Sequence, residues 1–213
     1  MSLGVVLKGP EGIVIAADSR VTLTAEGKLP GGGKGLTIQV TFDNATKLLT
    51  FTPAEGEEAA YVAAVTYGDA VVGTSQADLR TAHSLLPEFE AYVGRKRLPI
   101  QEFAQKLSDF FMDQWKTRGM PEASKHPGAG MTFVVAGYDE GAPHGRVFMC
   151  NVPKSPKPEE QAPNDFGITF GGQGEYAQRL LGGFDPRLPE IVSKALNLQP
   201  SQRQILMAAL KPL

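Results

Sequence analysis

Ser2 holds the chemically most unusual position in this sequence. The chain opens Met1-Ser2-Leu3-Gly4, and a β-prone run begins at Leu3, which places a hydroxyl at the very end of a strand. Removal of Met1, common when the second residue is as small as serine, would leave Ser2 with a free α-amine. One residue would then carry both nucleophile and base. An α-amine with a pKa of about 7.7–8.0 can accept the hydroxyl proton near neutrality, where an ordinary lysine stays protonated. The chemistry this allows is acyl transfer through a serine ester, with water or another amine as the acceptor.

The other reactive residue types offer less. Cys150 is the only cysteine, so neither an internal disulfide nor a cysteine-based metal site is expected, and a reducing compartment fits. His83, His126 and His144 form no two-histidine metal pattern and read as structural or solvent-facing, so no metal is expected. A nucleophile elbow, Gly-x-Ser-x-Gly, does not occur. Gly31-Gly32-Gly33-Lys34-Gly35 has no Ser or Thr after the lysine and does not join a strand to a helix, so it is not a phosphate cradle. Gly171-Gly172-Gln173-Gly174 does join a strand to a helix and reads as a tight turn. No cofactor is expected.

A net charge of −2, with 42% apolar and 21% charged residues, excludes a basic nucleic-acid binder of the usual kind and a disordered chain. The apolar runs are too short to span a bilayer, and no export signal opens the chain. The expected setting is cytoplasmic, without membrane or nucleic-acid partners.

The elements that must position Ser2 follow from periodicity. Leu3–Leu7 and Ile13–Ala17, split by Gly9-Pro10-Glu11-Gly12, predict a hairpin; Thr46–Phe51 and Ala60–Val65 predict another. Thr24–Gly35, with five glycines and a proline, predicts a long flexible loop. Helices are expected over Asp69–Tyr92 and Pro99–Arg118, the second with Phe103, Leu107, Phe110, Phe111 and Trp115 on one face. Met131–Tyr138 and Arg146–Val152 read as paired strands, Pro153–Pro163 as a connection, Phe166–Phe170 as a short strand, and Glu175–Gly182 as a helix. Pro186, Pro189, Pro200 and Pro212 break up the helical tail that follows. Clustered strands predict an α+β fold of antiparallel sheets flanked by helices, and 213 residues predict a single domain.

Ser2 to Thr22, Ser-Leu-Gly-Val-Val-Leu-Lys-Gly-Pro-Glu-Gly-Ile-Val-Ile-Ala-Ala-Asp-Ser-Arg-Val-Thr, resembles without a gap the opening of proteasome β-type subunits and their bacterial relatives, which are N-terminal-nucleophile hydrolases. Thr46-Lys47-Leu48-Leu49, Met131–Asp139 and Phe170–Ala177 resemble later segments of those subunits. The resemblance implies a four-layer αββα sandwich over 1–213. It implies that Ser2 is the nucleophile, Asp18 the acid and Lys47 the cation beside the hydroxyl. Arg20 and Thr22 match as well, the latter where the backbone holds substrate as an added strand. Val65 falls at the oxyanion position, where the family has glycine, and Gly172 replaces an auxiliary serine.

The activity implied is peptidase action on peptides or unfolded proteins within a ring or related homo-oligomer, compatible with an unfoldase partner. Serine replaces the family's usual threonine. The family's last helix and strand pair have no counterpart before Leu213, so the expectation is a chain cut short or remodelled there. Two rival readings remain: an inert structural subunit that keeps Met1, and an amide hydrolase or acyl transferase using the same nucleophile.

Overall fold

Small and β-branched residues from Leu3 to Ala17, interrupted by the turn chemistry of Gly9 to Gly12, favour a two-stranded unit. The computed structural model describes residues 2–27, 36–185 and 187–210, and it contains this unit as β1 (Leu3–Lys8) antiparallel to β2 (Ile13–Ala17). A second hairpin, β3 (Val21–Gly27) with β4 (Leu36–Phe42), occupies both flanks of the expected loop. Its arms are rich in β-branched residues, Val21, Thr22, Thr24, Thr37, Ile38, Val40 and Thr41, a strand signal that the neighbouring glycines obscure. Residues 28–35, and with them the Gly31–Gly35 segment, lie outside the described residues.

The chain continues through β5 (Leu48–Thr50) and β6 (Val62–Gly68), paired as expected. The helix expected over Asp69–Tyr92 is instead a short ladder of β7 (Val71–Val72) with β8 (Arg80–Thr81), two 3-10 turns, and only then α1 (Leu86–Val93). Gly73 at φ +130° and the β-branched pair before it are the local reasons. α2 (Ile100–Thr117) follows, with Pro99 just before its first turn. Next come β9 (Met131–Gly137), β10 (Arg146–Val152), β11 (Ser155–Glu160) and β12 (Gly167–Gly172). β11 lies within the expected connection Pro153–Pro163. It forms the edge of its sheet, which is where Pro156 and Pro158 are tolerated because an edge strand leaves N–H groups unneeded.

The chain divides into two compact units, Met1–Gly172 and Gln173–Leu213. In the first, a five-stranded sheet of order β11-β10-β9-β6-β5 faces a three-stranded sheet of order β12-β1-β2, and the pairings are antiparallel. Val6, Val65, Val134, Ala136 and Val147 fill the space between the sheets, with Ile13, Ile15, Tyr67 and Met149 at its margin. The other face of the large sheet carries α1 and α2, where Phe103, Leu107, Phe111 and Trp115 pack on Leu49, Ala64, Phe133, Val135 and Phe148. Every residue of β9 is buried, because it lies between both cores. The architecture is therefore α+β, and this unit supplies helix, sheet and sheet in succession.

The second unit holds α3 (Gly174–Gly182), α4 (Leu188–Ala195) and α5 (Pro200–Ala209). Gly183 at φ +73° ends α3, and a proline in the first turn starts each of the other two. Among the described residues no helix is long and apolar enough to cross a membrane.

Candidate active site

Asp18 closes the open end of the first hairpin. Its amide donates to the Leu3 carbonyl at 3.0 Å, and its Oδ1 accepts the Leu3 amide at 2.6 Å, so the start of β1 is clamped directly after Ser2. Its Oδ2 accepts the Arg20 amide at 3.0 Å. Lys47 enters from just before β5, where its carbonyl accepts the Thr66 amide at 2.9 Å and so extends the β5–β6 ladder by one rung. The side chain is 6% exposed, and its Nζ donates to both Asp18 oxygens at 2.9 Å, to the Arg20 carbonyl, and to Ser2 Oγ at 3.2 Å.

A buried ammonium needs such a set of acceptors to remain charged. Burial alone would raise the Asp18 carboxyl, but the hydrogen bonds from Lys47, Leu3 and Arg20 outweigh it and hold its pKa below the ordinary carboxylate value. Ser2 Oγ thus lies beside a fixed positive charge, which favours its deprotonated form.

The remaining expected residues divide. The Arg20 guanidinium turns away to an exposed pair with Asp43 at 2.6 Å, so only its backbone reaches the Lys47 cluster. Thr22 lines a cleft of about 560 Å³ together with Ser2, Gly68, Asp69, His126 and Gly128. Val65 is not part of this cleft. It is fully buried between the sheets, opposite Val134 and Leu48, because β6 runs three residues further before it ends.

The backbone group of β6 at the cleft belongs to Gly68. Asp69 donates its amide to Gly130 on the β9 side at 2.9 Å, and Thr66 donates its amide to Lys47 on the β5 side. Strand amides alternate in direction, so the Gly68 N–H points towards the β5 side, beyond the last rung, where Ser2 and Lys47 share a small void of about 20 Å³ with it. A side chain at Gly68 would be strained at φ +93° and would collide with the Gly130 carbonyl.

Gly172 also has a steric reason to be glycine. It stands opposite Leu3 on β12 at φ +83°, and a Cβ there would overlap the Ser2 carbonyl. A group larger than hydrogen at the expected auxiliary-serine position is therefore excluded by the backbone of Ser2. Tyr67 locks the same region, its ring filling the space above Gly4 and Gly171.

Asp69 and His126 were not expected at the site. His126 Nε2 meets Asp69 Oδ2 at 2.5 Å, and the imidazole stands edge-on to Trp115 with ring centres 4.9 Å apart. The two residues are 57 positions apart, and no local pattern joins them. Among the described residues, no three His, Cys, Asp or Glu side chains gather closely enough to hold a metal ion.

No family model matches the chain, and no curated protein matches it. Among solved structures it is similar to the helical assembly of the Anbu complex from Pseudomonas aeruginosa: the match covers 91% of this chain and 71% of that chain, at 20% identity and a TM-score of 0.52. The likeness is one of fold. It corrects the family read from the N-terminal segment: membership among the proteasome β-type subunits is not supported by any family model, and the likeness found is to the fold of the Anbu complex.

Proposed function

We propose that the protein hydrolyses amide bonds in peptides, with Ser2, made N-terminal by removal of Met1, as the nucleophile. The observation that carries this reading is the Lys47 ammonium, 3.2 Å from Ser2 Oγ while paired to Asp18. The α-amine of Ser2 accepts the hydroxyl proton as Oγ attacks the substrate carbonyl carbon, and Lys47 stabilises the developing alkoxide. The Gly68 N–H receives the oxyanion of the tetrahedral intermediate in place of the expected Val65 N–H. The C–N bond then breaks, the leaving amine takes the proton from the α-ammonium, and an ester remains on Ser2. Water, deprotonated by the same amine, releases the acid.

The packed sheets with a helix layer support placing this core among αββα sandwiches, and the position of Thr22 on β3 at the cleft supports a substrate held as an added strand. The helical assembly named for the Anbu structure supports a homo-oligomer as the working form.

Mass spectrometry on the native protein and on its denatured chain, before and after a peptide epoxyketone, tests the reading. An epoxyketone needs both the hydroxyl and the α-amine of one N-terminal residue. The expected result is an oligomer whose chain lacks Met1 and gains one adduct on Ser2. Adduct formation is lost in Ser2→Ala and falls at least about a hundredfold in Lys47→Ala. Retained Met1, or labelling that Ser2→Ala leaves intact, overturns the assignment.

A further inference from the structure

The cleft beside Ser2 contains a single carboxylate, Asp69, and neither lysine nor arginine lines it among the described residues. We infer that it is a subsite for a positively charged substrate side chain, lysine or arginine, received by Asp69 next to the scissile carbonyl. This deepens the reading of Ser2 as a hydrolytic nucleophile and rests on it for the word substrate.

Asp69 is held as a preset acceptor. Its amide is bonded to Gly130, and its Oδ2 is taken by His126, whereas Oδ1 receives no hydrogen bond from a described residue. Gly128 packs closely on that carboxylate, and only a hydrogen fits there: a Cβ would lie 2.8 Å from Asp69 Oδ1 and 2.6 Å from His126 Nε2 and would cover the oxygen. The carboxylate is 26% exposed, enough to meet a ligand and too little to be fully screened by water.

His126 supplies the second indication. Its side chain is nine-tenths buried, and its Nδ1 is a buried nitrogen with no hydrogen-bond partner among the described residues. An orphaned buried polar atom is costly and concentrates where function requires it. Here the imidazole accepts that cost while fixing the orientation of Asp69. A bound ammonium or guanidinium would complete the coordination of Oδ1 with a charge-assisted hydrogen bond; among the described residues no lysine or arginine lines the cleft, and the Lys154 ammonium is held on the Gly128 carbonyl at 2.7 Å.

Trp115, the only tryptophan, stands against His126 and reports on occupancy. Blocked short peptides that carry lysine, its uncharged isostere norleucine, or glutamate are titrated into the full-length protein while the emission of Trp115 is followed. The lysine peptide is expected to give a saturable change with an affinity roughly tenfold or more above norleucine, and glutamate to bind more weakly than norleucine. Asp69→Asn is expected to bring lysine to within about twofold of norleucine. Equal affinities of the three peptides in the unsubstituted protein overturn the subsite, and that comparison does not depend on the variant folding. Labelling by lysine and norleucine epoxyketones runs alongside. Adducts on Ser2 without a lysine preference remove the subsite and leave the nucleophile. A lysine preference in emission without any adduct supports the subsite and removes the nucleophile.

Discussion

Lys47 is buried with its charge, and its nearest anion is Asp18, so the pair must answer to acid. Because the folded pKa of Asp18 is depressed, its contribution to stability is complete above the unfolded value of 3.8 and is lost as pH falls through the lower folded value. Asp18→Asn is expected to cost about 2 kcal/mol at pH 7, below the range for a fully buried pair because Asp18 remains partly exposed. Urea unfolding at a series of pH values checks this: the gap between the two proteins should close in acid, and a gap constant down to about pH 2 would show that the carboxylate charge does not contribute. Ser2, Asp18 and Lys47 were grouped in the sequence through the family resemblance, and the structure places the Lys47 ammonium within hydrogen-bond reach of both Ser2 and Asp18. Gly68 was not legible in its place, because the run Val62-Ala63-Ala64-Val65 carries no mark of where the strand stops. Asp69 and His126 were illegible for a different reason: their contact is purely tertiary.

β1 and β12 meet closely enough that glycine at 172 is a requirement of the sheet as much as of the turn. Gly172→Ala puts a Cβ into the Ser2 carbonyl at a positive φ, so the end of β12 must retreat from Ser2. The expected loss is about 2–3 kcal/mol in urea unfolding, together with at least about tenfold slower epoxyketone labelling of Ser2. Unchanged labelling in a destabilised variant would separate the sheet contact from the geometry of the site. Elements with a clean period were legible: α2 through its aromatic face and β9 through its continuous apolar run. Those that were not had local signals pointing elsewhere. Two prolines in β11 argue against a strand, and only the edge position, a property of the whole sheet, permits them. The arms of β3 and β4 read as loop because glycine dominates the segment that joins them. Between Asp69 and Leu85 the apolar spacing suited a helix, but Gly73 at positive φ and the pairing of Val71 and Val72 with Thr81 and Arg80 impose a ladder.

At the scale of the molecule, the first unit is one hydrophobic interior divided by the large sheet, thin and aliphatic towards β1 and β2, thick and aromatic beneath α1 and α2. Cys150 sits in the aromatic half on β10, 2% exposed, with burial pushing its thiol up to about 11. Thiol reagents attack the thiolate of an accessible sulfur, so the folded chain should be almost inert to them. A single buried sulfur then acts as a clock for opening events: each modification records one occasion on which helix and sheet parted. An aromatic disulfide reagent at pH 8 is expected to modify the native protein at least about a thousandfold more slowly than the protein in strong denaturant. A much smaller ratio would mean that the aromatic half breathes on its own, without global unfolding. The rate of that one reaction therefore measures how independently the helical cover can lift away while the hairpin carrying Ser2 stays in place.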